Sequence, residues 1–175
     1  MNVGAAVPRA GAAPRRGALL GTRARFGYSA ERLHCANSQA EQSTMATRSV
    51  IEPDNPKLNV SRNFNIPHSP GIRANGFLFL SGMVAIDPAT GERVRGDVQA
   101  ETRQILDNAR HLLESAGSSL EKVVRVHVLL NDPADWAAMN EVYKQYFTHE
   151  PPARSAYGVS LTNGIKVEIE ITALE

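Results

Sequence analysis

Two residues near the C-terminus could carry chemistry. In PPARSAYGVSLTNGIKVEIEITALE, Arg154 is a lone cation entering a run of small and β-branched residues, and Glu168 stands in the alternating run that follows. A guanidinium grips a carboxylate through two parallel hydrogen bonds, which makes Arg154 a fit anchor for a small acid. A carboxylate such as Glu168 can take or give a proton. Each has a plainer alternative: Arg154 as the simple partner of a sheet carboxylate such as Glu170, and Glu168 as only the polar side of an alternating strand. The histidines His34, His68, His111, His127 and His149 lack ligand spacing, so no metal is expected. His127, inside an apolar run, reads as a structural histidine rather than a base. Phosphate loops of the GxxxxGK[ST] type, a GxGxxG after a strand, HExxH and GxSxG are all missing, which leaves nucleotide, metalloprotease and serine-hydrolase chemistry without local support.

The elements that must position these residues alternate between β and α signals from about Ile51. FLFLSGMVAID (residues 77–87) reads as a buried strand with a bend at Ser81 and Gly82, and DPATGE as a turn. DVQAETRQILDNARHLLESAG places Val98, Thr102, Ile105, Leu106, Ala109, Leu112, Leu113 and Ala116 on one helical stripe, with Asp97 to cap its start and Gly117 its end. KVVRVHVLL (122–130) reads as a well-buried strand. A second helix follows, opened by Asp132 and Pro133, with Trp136, Met139, Tyr143, Tyr146 and Phe147 as its apolar face. That stripe is core packing rather than a base-stacking platform.

RSAYGVSL and IKVEIEITA then give two strand candidates on either side of Thr162-Asn163-Gly164. In the last one, Ile165, Val167, Ile169 and Ile171 point to one face, while Lys166, Glu168, Glu170 and Thr172 point to the other. The expected architecture is a small α+β domain in which a mostly antiparallel or mixed sheet carries two helices on one face. Its polar face is either solvated or covered by a neighbouring subunit, in which case Arg154 and Glu168 could line one interfacial cleft.

The 175 residues suffice for one domain with one core, and a formal net charge of +1 gives no general attraction to nucleic acid or membrane. No apolar run approaches the roughly 20 residues of a membrane helix, so no membrane partner is expected. Cys35 is the only cysteine, which excludes an internal disulfide or a CxxC pair and fits a reducing compartment. Residues 1–50, rich in Ala, Gly and Arg with Glu31 as the first acid, are set apart as a disordered extension. Two readings of it stay open. It is either a mitochondrial transit segment or the product of a mis-assigned start with Met45 as the true one, and Pro8 and Pro14 weaken the amphipathic helix that the first requires. The expected compartment is cytoplasmic, with the mitochondrial matrix as the alternative.

From about Asn65 to Leu174 the chain resembles the reactive intermediate deaminase A family (RidA, also YjgF, or by an older label endoribonuclease L-PSP). The likeness rests on FLSGMVAIDPATGE, GDVQAETRQILDNARHLLESAGSSLEKVVRVHVLLNDPADWAAMNEVYKQYF, PPARSA and KVEIEITA, in family order and near family spacing. It implies a chorismate-mutase-like domain that forms a homotrimer with sites between subunits. It also implies hydrolysis of reactive enamines or imines such as 2-aminoacrylate to 2-oxo acids and ammonia, with no cofactor. By the same resemblance Arg154 binds the substrate carboxylate and Glu168 positions water, with Ser81 and Asn140 hydrogen-bonding near the cleft and His68 facing the substrate.

Three departures from the family pattern stand out. Ala156 occupies a position where the family commonly has cysteine, which excludes a covalent thiol mechanism there. The segment IPHSPG carries His68 where many members have tyrosine, and the turn SLTNGI is one residue shorter than usual. The expected partners are therefore a small imine, enamine or 2-oxo acid and further copies of the chain, and no nucleic acid, since no basic stripe with interleaved aromatics marks an RNA path. Two further readings stay open: a deaminase of a larger ring-cleavage imine such as 2-aminomuconate, and a trimer that binds 2-oxo or 2-imino acids without turning them over.

Overall fold

The computed structural model describes residues 47–175. The expectations for the extension fall outside them, except that the sheet already begins at Arg48. Six strands take the order β1-β2-β3-β6-β4-β5. They are β1 (Arg48–Ile51), β2 (Gly71–Ala74), β3 (Phe77–Met83), β4 (Val123–Leu130), β5 (Ala153–Gly158) and β6 (Val167–Leu174). All neighbours are antiparallel except β4 and β5, which run parallel. A parallel pair needs a crossover, and the helix between those strands supplies it. The sheet is mixed, in an α+β domain, as the pattern of elements requires.

Three α-helices accompany the sheet: the single turn α1 (Val60–Asn63), the long α2 (Val98–Ser115) and α3 (Trp136–Tyr146). Asp97 caps α2 by accepting from the Ala100 N–H at 2.7 Å. Gly117, at φ +80°, ends it, with Gly117 N–H donating to the Glu114 carbonyl and Ser118 N–H to that of Leu113. The buried side of α2 holds Ile105, Leu106, Ala109 and Leu113 against Leu78, Leu80, Val126, Val128, Ile169 and Ile171 of the sheet. Each such Leu or Ile taken fully out of water stabilises the fold by roughly 1.5–3 kcal/mol before chain entropy is charged against it.

Three local expectations need correction. β3 is not buried on both faces, because Leu78 and Leu80 face the helices while Phe77 and Phe79 remain exposed on the other side. β4 alternates in the same way, with Val126, Val128 and Leu130 inward and Val124, Arg125 and His127 outward. The helices cover only one face of the sheet, so an apolar run cannot be buried twice within one chain. Asp132 and Pro133 open a short 3-10 turn (Pro133–Asp135) rather than α3 itself, and Trp136 is 52% exposed. Val142, absent from the expected stripe, is buried with Met139 and Tyr143, which turns the apolar face of α3 away from Trp136.

The start of β6 is braced from below. Glu101 of α2 is 2% exposed and accepts from the Lys166 N–H at 3.0 Å. The brace fixes the strand just ahead of Glu168.

Candidate active site

Glu168 lies on the open face of the sheet, level with Leu129 of β4. On its other side β3 is bulged, with the register shifting between Leu80 and Met83. The bend expected at Ser81 and Gly82 is therefore a bulge within a continuous strand, and it aims that pair into the cleft. The Glu168 carboxylate lies directly over Gly82, in space that a Cβ on that residue would occupy. Ser81 is fixed beside it, its hydroxyl donating to the Ser69 carbonyl at 2.6 Å and its N–H to Pro70 at 3.0 Å.

These residues border a cleft of about 850 Å³. His68 enters it from the loop after α1, and Val60, Phe64, Val84 and Ile86 give it an apolar wall. Burial in this wall, reinforced by the neighbouring Glu170 charge, raises the pKa of Glu168 above the ordinary carboxylate value. A raised carboxyl is a better proton carrier near neutrality than an ordinary surface glutamate.

Arg154 is elsewhere. On β5 it is level with Val126, so it faces the helix side of the sheet, opposite to Glu168. Its Nη1 donates to the Asn140 side-chain oxygen at 2.7 Å, and its guanidinium lies 4.4 Å from the centre of the Tyr143 ring. Asn140 is held in turn by donating to the Trp136 carbonyl at 2.9 Å. Burial pushes the Tyr143 hydroxyl up to about 12, with Arg154 opposing, so the ring under the guanidinium stays neutral. Arg154 makes no ion pair among the described residues, and the pairing with Glu170 does not occur. Nε and Nη2 therefore remain for a carboxylate.

Glu170 is committed to His127, whose Nδ1 is 3.3 Å away, and Arg125 Nε donates to the other ring nitrogen of His127 at 2.7 Å. The histidine is partnered on both sides. Of the five residues expected at the site, the structure thus gathers His68, Ser81 and Glu168 in one cleft and Arg154 with Asn140 in a second place. The sequence reading missed three cleft residues, Gly82, Arg93 and Arg95. The two arginines stand next-but-one to each other in ERVRGD, straight after the DPATGE turn, and that spacing was the available signal.

The family profile described as Endoribonuclease L-PSP matches residues 62–175. The chain belongs to this family, that of RidA and YjgF. It is 49% identical over 108 residues to a RutC family protein of Pyrococcus horikoshii, covering 61% of this chain and 86% of that one. It is 42% identical over 110 residues to the 2-iminobutanoate/2-iminopropanoate deaminase of Capra hircus, covering 62% and 80%. Among solved structures, the YjgF gene product of E. coli superposes with a TM-score of 0.65 at 32% identity, over 73% of this chain and 98% of that one. The fold is that of these RidA/YjgF proteins.

Proposed function

We propose that this RidA-family protein hydrolyses reactive imines and enamines of 2-oxo acids, releasing ammonia. The observation that carries the reading is the half-buried Glu168 carboxylate, seated over Gly82 at the edge of a cleft and raised in pKa. A relative named as a 2-iminobutanoate/2-iminopropanoate deaminase supports the choice of reaction.

Imine hydrolysis asks for a placed water and a proton carrier, because the imine carbon is already electrophilic. Water oxygen bonds to that carbon as the C=N π pair moves to nitrogen, and Glu168 takes the proton that water gives up. The same proton then passes to nitrogen to give a carbinolamine, whose hydroxyl proton Glu168 takes in turn and hands to that nitrogen as the C=O bond forms, the C–N bond breaks, and ammonia leaves a 2-oxo acid behind. An enamine first moves a proton from nitrogen to carbon to become the imine. Ser81 and His68 border the space where water and substrate would meet.

Arg154 serves as the carboxylate anchor in this reading, and its position on the far side of the sheet from Glu168 supports its serving a neighbour's cleft rather than its own. The active unit is then a homotrimer, with Arg154 and Asn140 of one copy closing over Glu168, Ser81 and His68 of the next. The open sheet face, where Phe77, Phe79 and Val124 are exposed, gives such a copy an apolar surface to cover. Under this reading Ala156 needs no thiol, since no covalent intermediate forms.

The test is decay of 2-iminobutanoate with semicarbazide competing for the imine, run on the wild type, Arg154→Ala and Glu168→Gln. The expected result is acceleration by the wild type and a loss of roughly 100-fold or more in each variant, the range in which general acid–base groups act. If the wild type binds 2-oxobutanoate yet leaves imine decay unchanged, the clefts bind small acids without chemistry.

A further inference from the structure

The cleft holds more positive charge than the reaction above uses. Arg93 and Arg95 both border it, on either side of Val94, whose side chain packs against the core. Residues two apart in extended backbone share a side, so burying Val94 turns both arginines the other way. The segment is held in place by a bridge between Ile86 and Arg93 and by the Val94 N–H donating to the Ala85 carbonyl at 2.9 Å.

Across the rim, Asn163 and Gly164 turn with φ of 57° and 72°. The Asn163 carbonyl accepts from Nη1 of Arg93 at 3.1 Å, and Gly164 lies beside Nη1 of Arg95. Arg93 Nε is buried and has no hydrogen-bond partner among the described residues. Neither arginine belongs to an ion pair there. A half-buried cation with no anionic partner is costly, and an anion bound at the cleft side of the guanidinium would offset that cost. Against these two guanidiniums the cleft sets a single carboxylate, Glu168.

A short 2-imino acid has one carboxylate, and Arg154 already takes it. We propose that Arg93 and Arg95 form a second anion subsite, so that the preferred ligand is a 2-oxo dicarboxylate or its imine rather than a short monocarboxylate. The second carboxylate sits between the two guanidiniums, and the carbon chain leading to it lies along Val84, Ile86 and Ile165 of the wall. A cleft of about 850 Å³ has room for the longer molecule. The catalytic part of this inference rests on the deaminase reading, whereas the binding part rests only on its placing of Arg154 as the first carboxylate's anchor.

Binding is measured first, by calorimetry of 2-oxoglutarate, 2-oxoadipate and 2-oxobutanoate on the full-length wild type, Arg95→Gln and the Arg93→Gln/Arg95→Gln double variant. The wild type is expected to bind a dicarboxylate at least roughly 10-fold more tightly than 2-oxobutanoate, the worth of one charge-assisted contact. That preference should shrink in Arg95→Gln, an exposed position where glutamine leaves the fold intact, and approach unity in the double variant. Equal wild-type affinities, no dicarboxylate binding, or a preference that survives the double substitution would each overturn the subsite. Decay of 2-iminoglutarate beside 2-iminobutanoate separates this inference from the reaction it builds on. Selective dicarboxylate binding with neither imine accelerated keeps the subsite and sinks the deaminase reading, whereas acceleration of 2-iminobutanoate with no dicarboxylate preference does the reverse.

Discussion

Glu168 can lie over β3 because residue 82 has no side chain. Any Cβ there meets the carboxylate, so Gly82→Ala should push Glu168 out of place while leaving the helices and core untouched. The expected outcome is a loss of imine hydrolysis of roughly 10-fold or more with a melting temperature near that of the wild type, since misplacing a proton carrier slows the reaction without opening a cavity. Imine decay and thermal melting measured on one preparation check it, and full activity in Gly82→Ala would show that the seat over Gly82 is immaterial. Arg154 and Glu168 stood out in the sequence by their types and neighbours, and the structure places them on opposite faces of the sheet. Gly82 was not, because its role depends on a carboxylate arriving from β6, distant in sequence. Arg93 and Arg95 escaped for a related reason: in the chain they look like solvated charges after a turn, and only the bridge to Ile86 brings them to the cleft.

Elements were legible where their ends are marked by local chemistry. Asp97 and Gly117 bound α2 as their types require, because capping and left-handed backbone are decided within a few residues. Removing the cap by Asp97→Ala should destabilise the protein by about 1 kcal/mol. Denaturant melts should show the midpoint fall with an unchanged slope, and no fall at all would mean that the cap is dispensable. Burial was legible only in part. The alternation in β6 fixed both of its faces, but β3 and β4 read as continuous apolar runs whose outward residues are exposed in a single chain. What covers an outward Phe77 or Phe79, if anything does, is not written in the strand pattern, which records only that both are apolar. The error at Trp136 has a smaller cause, a turn of 3-10 helix that delays α3 and a buried Val142 that rotates its inner face.

At the scale of the whole molecule, the proposed reading requires more than one chain to complete the site. Glu168 is on the open face of the sheet and Arg154 on the helix-covered face, so a substrate held by both must be held by two copies. A head-to-tail arrangement that closes on itself lets every copy give its arginine to one neighbour and its glutamate to the other. The strand order was not legible in the sequence, since β4 separates β5 from β6 although the latter two are consecutive in the chain. The direct test co-expresses Arg154→Ala and Glu168→Gln chains carrying different tags and isolates the mixed assemblies. Each variant alone should be inactive. Mixed assemblies should recover roughly a third of the wild-type rate of imine hydrolysis, because a head-to-tail trimer of either mixed composition has one interface in three that joins an intact arginine to an intact glutamate. Mixed assemblies that form but stay as inactive as the separate variants would contradict a shared site.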